Sequence, residues 1–258
     1  MLISSDTDLR RYIPNTLVTV SGEQSLFDKL QVGLQLSEAW LAGTFGVVES
    51  TPTACKVLAT DALLRAVPSL DLVLTSNGFG VVSNNTIAPA SKDRVDRLVS
   101  SLEQNRDFAI DQLLHELRTQ PDWRTTQQGR FFLTTLFQTP LALPQELRKT
   151  HALDYFLQTH SQIVLIEQEL ADQYISHEVY ARLRADLDNP DFAALIQPLQ
   201  AIEMQLLTGK PLPYKSLIAL VDYIRKSDLF PEWQTSQTAQ RYQTQSFQNK
   251  KDSAGYWW

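Results

Sequence analysis

Residues 77–98 read NGFGVVSNNTIAPASKDRVDRL, and in this stretch a β-prone segment gives way to the longest helical pattern in the chain. Asn77-Gly78 stands between two β-prone runs, DLVLT at 71–75 and FGVVS at 79–83. Both central residues of a type I′ turn need positive φ, which Asn and Gly tolerate, so the stretch predicts a hairpin over 71–83. Pro89 and Ser91 then announce a helix. The Ser91 hydroxyl is suited to accept from an otherwise unpaired amide, and Asp93 sits well at the positive end of the helix. From Lys92 to Thr119 apolar residues recur at helical spacing, among them Val95, Leu98, Leu102, Ile110, Leu113 and Leu117. The opposite face, with Arg94, Arg97, Glu103, Arg106, Asp107 and Asp111, reads as solvated. Such a helix is about 40 Å long.

Upstream, Ser4 to Ile13 reads as a short capped helix stopped by Pro14, with Ser5 and Asp8 as a weak capping box. Leu17 to Val20 is strand-like. Ser25 caps a helix with Leu26, Leu30, Leu34 and Leu41 at helical spacing, ended by Gly43 and Gly46. Thr51-Pro52 is an N-cap and first-position proline, opening a helix that Pro68 is expected to stop. Its face of Cys55, Ala59, Ala62 and Ala66 is small, which predicts close approach to the preceding helix.

Downstream, FFLTTLF at 131–137 reads as an isolated strand that must find an edge. Prolines at 140 and 144 mark a boundary near 140. Pro144 to Asp172 reads as a helix interrupted near His160-Ser161, Ser176 as the cap of a short helix, and Asn189-Pro190 as the start of another, kinked at Pro198. Tyr214 to Arg225 forms a last helix. From Gln234 the chain turns glutamine-rich and closes on Tyr256, Trp257 and Trp258. The expected fold is therefore mainly α: a helical bundle with a small β-hairpin element and two helical subdomains, 1–140 and 141–233, followed by an extended tail, 234–258. Each half runs through an apolar helix, a short capped helix and a proline-bounded helix, a loose parallel that an ancient duplication would leave.

The totals narrow the function. The 258 residues are 43% hydrophobic and 20% charged, which suits a globular chain able to bury a sizeable core. No apolar run approaches the ~20 residues needed to span a bilayer, and the first residues lack a signal peptide's apolar core. The single cysteine, Cys55, excludes an internal disulfide and reads as a small buried hydrophobe. The net charge is −6 and falls equally on the two halves. Proteins that grip phosphates show a basic face or tail, so tight DNA binding is not expected.

No chemistry emerges from the motifs. His151 and Asp154 stand one turn apart and His177-Glu178 are adjacent, but neither has the spacing that sets two imidazoles on one helix face. DLDNPD at 186–191 resembles a calcium loop until Pro190 takes a ligand position and no glycine follows. Gly78-Phe79-Gly80 lacks the third glycine and the βαβ setting of a dinucleotide loop. No catalytic residue, metal ligand or cofactor site is expected.

The opening MLI and DLRRYIP (8–14), the central NGFGVVSN (77–84) and IAPASK (87–92), and the long helix after them resemble a family of tailed-phage structural proteins known mainly from prophages of gut bacteria. The resemblance covers residues 1–120 and implies a virion protein of the head–tail connector or neck-adaptor type. It implies a homo-oligomeric ring between portal and tail, with DNA passing through the channel unbound, made in the host cytoplasm. Connector subunits of that kind are shorter, so the helical second half is an addition or a divergent duplicate. The residues expected to touch partners are Asn77, Gly78, Phe79 and Gly80 at the hairpin and Phe247, Tyr256, Trp257 and Trp258 in the tail. The competing class is a small helical hydrolase whose site is assembled from distant residues.

Overall fold

The computed structural model describes residues 2–13, 25–47, 49–70, 72–75, 78–81, 91–148 and 151–242. Leu17 to Val20 lies outside them. The described chain is mainly helical, and it divides into two compact units: residues 1–133 with 137–158, and residues 134–136 with 159–258. The sequence places one boundary near 140 and a second between 233 and 234.

In the first unit Ser5 caps α1 (Asp6–Tyr12) and Ser25 caps α2 (Leu26–Phe45), each hydroxyl accepting from the amide three residues on. Gly46 ends α2 with φ 71°, a left-handed conformation that costs glycine little. The third helix, α3 (Pro52–Leu70), runs through Pro68 rather than stopping there. That proline gives up its own bond to the carbonyl four residues back, and it lies in the last turn, with only two residues of the helix after it. A Cβ on Gly33 of α2 would lie 3.0 Å from the Ala62 carbonyl, so glycine lets the two helices approach at the small-residue face of α3. Leu30, Leu34, Cys55, Leu58, Ala59 and Ala62 are buried between them. Burial of Cys55 matches its reading as a small hydrophobe; its Sγ lies 3.3 Å from the Ser50 hydroxyl.

After α3, β1 (Leu72–Thr75) and β2 (Gly78–Val81) pair antiparallel, Leu72 opposite Val81 and Thr75 opposite Gly78. Gly78 thus belongs to the second strand and not to the turn position that the Asn-Gly spacing gave it. The long helix α4 (Lys92–Leu117) packs on α3 and buries Leu102, Ala109, Ile110, Leu113, Leu114 and Leu117.

The strand expected at 131–137 does not form. Thr126 caps a short helix, α6 (Gln127–Phe132), which follows α5 (Pro121–Thr125), and the chain from Leu133 to Gln138 is irregular. Phe132 is held by rings instead of a ladder. It stacks between Phe45 (centroids 5.5 Å apart, planes at 15°) and Phe156 (5.6 Å, 10°). Aromatic pairs at these distances contribute beyond their buried area, and they decide the conformation of an apolar run that periodicity alone leaves ambiguous.

The second unit takes over within α7 (Ala152–Leu170), which is unbroken at His160 and ends in one π turn, Ala171–Ile175. Then come α8 (His177–Ala185), capped by Ser176, α9 (Ala193–Leu207), which contains Pro198, and α10 (Tyr214–Lys226). Two short helices follow, α11 (Pro231–Thr235) and α12 (Gln237–Tyr242). Part of the stretch expected as an extended tail is therefore helical, with Thr238 and Ala239 buried. Polar though it is, the stretch has partners: the Thr238 hydroxyl donates to the Ala171 carbonyl at 2.9 Å and the Tyr242 hydroxyl to Gln173 at 3.1 Å.

Candidate functional site

Of the residues expected to touch partners, Asn77, Phe247, Tyr256, Trp257 and Trp258 lie outside the described residues. Gly78, Phe79 and Gly80 lie in β2, opposite Thr75, Leu74 and Val73. Of the charged face that the sequence placed in solvent, Glu103, Arg106, Asp107 and Asp111 are half-buried.

In the first unit the centre is Asp61, 2% exposed on α3. Ser37 on α2 donates to its Oδ2 at 2.7 Å, Arg65 Nε one turn on donates to the same oxygen at 2.7 Å, and Arg106 on α4 reaches Oδ1 at 3.0 Å. A buried carboxylate requires such partners, and this one ties three helices together. Asp107, next to Arg106, caps α7: its Oδ2 accepts from the Ala152 amide at 3.3 Å while its Oδ1 has no partner. Burial raises the Asp107 pKa, with the Ala152 amide and Arg106 opposing the shift.

Beside this network opens a cleft of about 320 Å³, lined by Asp61, Arg65, Glu103, Arg106, His151 and Asp154 together with apolar residues. His151 Nε2 lies 3.3 Å from Glu103 Oε1. Both arginines already face Asp61, and the described lining holds no Ser, Thr, Cys, Lys or Tyr. The cleft can orient a polar group, and its described lining holds carboxylates and an imidazole but no hydroxyl, thiol or amine nucleophile. His177 pairs with Asp172, 2.8 Å away. Among the described residues no group of three or more His, Cys, Asp and Glu is placed to hold a metal ion.

The second unit carries a denser cluster. Glu167 on α7 is fully buried: its Oε1 accepts from the Leu136 amide at 2.6 Å, and its Oε2 takes Arg184 Nε at 3.0 Å and a second bond from Arg184 Nη2. Four residues before Arg184, Tyr180 donates its hydroxyl to Glu203 Oε1 on α9 at 2.9 Å, and Glu203 Oε2 has no partner. Burial pushes the Glu167 carboxyl up to about 7, with Arg184 and the Leu136 amide opposing. Burial first, and the Glu167 charge second, push Glu203 well above the ordinary range. Glu203 stands between Leu199, Ile202 and Leu206 in the sequence, so an acid on an apolar helix face was the available signal for this cluster.

A third arrangement occurs once in each unit. In the first, Trp123 on α5 is buried and its Nε1 donates to the carbonyl of Phe45, the last residue of α2, at 2.6 Å. Gln128 on α6 reaches the Gly43 carbonyl at 3.3 Å. In the second, buried Trp233 sits on α11, while Thr238 and Arg241 on α12 hold the Ala171 and Asp172 carbonyls at the end of α7. Each pair of short helices closes over the last carbonyls of a long helix, where four would otherwise lack partners.

No helix among the described residues is long and apolar enough to cross a membrane. A family model described as a family of unknown function, DUF6712, matches residues 53–132, from the start of α3 to the last residue of α6. Neither the curated proteins nor the solved structures contain a match.

Proposed function

We propose that the chain is a self-assembling structural subunit, of the head–tail connector or neck-adaptor type in a tailed-phage particle, and that copies of it pack side by side in a ring. The observation that carries the proposal is the apolar surface left uncovered on the first unit. Val32 and Leu36, one turn apart on α2, are 69% and 55% exposed, and on α4 Leu98 and Phe108 are 50% and 59% exposed. None of the first ten residues of α4, 92–101, is buried. Single exposed apolar residues are ordinary, but exposed apolar residues on two different helices of one unit suit a head-to-tail contact, in which one patch of a subunit meets a different patch of the next.

The charge supports the same reading: an acidic surface without a basic stripe suits a channel through which DNA slides without binding. The neighbours in such an assembly are a portal, tail or other neck protein. The place in the particle rests on the resemblance carried by residues 1–120. Leu98→Asp places a charge in the proposed contact at a residue that is half exposed in the single chain, so it is expected to shift the purified protein from oligomer to monomer with little change in the monomer's melting temperature. A mass unchanged by Leu98→Asp would remove α4 from the contact.

A further inference from the structure

The two clasps share a sequence as well as a shape. PDWRTTQQG at 121–129 and PEWQTSQTA at 231–239 align without a gap, 110 residues apart, with Pro, Trp, Thr and Gln repeated and Asp/Glu, Thr/Ser and Gly/Ala exchanged. The backbone agrees in detail. Thr126 lies between its two short helices at φ −68°, ψ 163°, and Ser236 at φ −69°, ψ 155°. Each hydroxyl donates to the carbonyl of its tryptophan at 2.7 Å and accepts from the amide three residues on, Gly129 or Ala239. Each tryptophan lies 6.4 Å from the ring nine residues later, Phe132 or Tyr242.

The helix end under each clasp repeats too. LAGTFG at 41–46 corresponds to LADQYIS at 170–176, which has one residue more. In the first copy the amide of Gly46, the residue of positive φ, bonds to the Ala42 carbonyl four residues back at 2.9 Å. In the second the amide of Ser176, again the residue of positive φ, bonds to the matching Ala171 carbonyl five residues back at 3.0 Å. A single inserted residue in a helix is what produces one π turn.

The insertion leaves two marks. Ser176 is held at φ 89°, ψ 150°, a region that is costly for any residue but glycine. Trp233 Nε1 is buried without a partner, whereas its counterpart Trp123 Nε1 has the Phe45 carbonyl. Buried polar groups are nearly always paired, and here the unpaired one belongs to the clasp whose Thr238 and Arg241 hold the carbonyls of the π turn.

We propose that the two units are tandem copies of one helical module, and that the inserted residue has made the helix end at 171–176 of the second copy a strained, two-state element. In its other state the segment takes the first copy's form: the last turn of α7 is a regular α-turn, Ser176 leaves the left-handed region, and Trp233 Nε1 donates to the Tyr174 carbonyl. The first copy, with glycine at its corner and its indole satisfied, has no such alternative to reach.

Matched substitutions in the full chain test this. Trp123→Phe removes a hydrogen bond that is made, and Trp233→Phe removes a donor that is not. The expected result is a clear fall in melting temperature for Trp123→Phe and none, or a rise, for Trp233→Phe. Ser176→Gly relieves the backbone and is expected to raise the melting temperature. In ¹⁵N-tryptophan spectra of the unsubstituted chain the Trp233 indole signal is expected to show exchange between two environments, and Ser176→Gly to quench it. Equal losses for the two Trp→Phe variants, or a single sharp Trp233 signal unaffected by Ser176→Gly, would overturn the two-state element.

Discussion

Arg184→Met is expected to destabilise the second unit by about 3–5 kcal/mol at pH 8 and by far less at pH 5, the size of loss that follows when a buried carboxylate keeps its charge and loses its counter-charge. Arg184 puts two hydrogen bonds on one oxygen of Glu167, which is fully buried. Even with that support, burial holds the Glu167 pKa at about 7, above its ordinary 4.5. A raised folded-state pKa means that the fold prefers the protonated form. The stability gained from that preference is complete below about 4.5, the unfolded value, and is lost as pH rises through about 7. Glu203, pushed up first by burial and then by the Glu167 charge, shifts in the same direction and adds to the loss of stability as pH rises. The unsubstituted chain should therefore melt at a lower temperature at pH 8 than at pH 5. Arg184→Met steepens that dependence, because at pH 8 Glu167 must either remain charged without a partner or take up a proton. Thermal and urea unfolding at the two pH values measure it; equal losses at both would show that Glu167 does not titrate between them.

The second large effect is expected at Phe132. It is 1% exposed and stacked on two rings, with Phe131 edge-on at 5.3 Å. Truncation to alanine leaves a cavity between Phe45 and Phe156 that aromatic neighbours cannot close by small shifts, at a cost of about 3–5 kcal/mol. Urea unfolding of Phe132→Ala measures it. A loss below about 1 kcal/mol would mean that the rings relax into the space and do not hold the 127–138 segment.

How far the sequence carries can be read from particular residues. Helix starts were legible because their chemistry is local: Ser5 and Ser25 need only the amide three residues on, and both cap as expected. The long helix begins at Lys92 as expected and ends at Leu117, two residues early, before Pro121. What was not legible depends on distant partners. Phe131–Phe137 has the composition of a strand, but rings 87 residues upstream and 24 downstream of Phe132 draw it into a helix end. Arg106 reads as part of a solvated face, yet it meets Asp61 from 45 residues away. Asp61 itself follows Leu58 and Ala59 and precedes Ala62, an acid inside an apolar run, which was a visible sign of a buried charge. The PDWRTTQ and PEWQTSQ stretches were visible as well. Residues 121–127 precede an expected strand and 231–237 run across the start of an expected tail at 234, so neither stretch stands within the helical pattern that the two halves loosely share.

Assembly of this chain with itself is proposed from its exposed apolar residues. The most direct test is the mass of the purified full-length protein in solution, by light scattering and native mass spectrometry, alone and with its portal or tail neighbours. The proposed ring requires a discrete closed oligomer, formed alone or on addition of a neighbour and abolished by Leu98→Asp. A monomer at every concentration, unchanged by any neighbour, would contradict it.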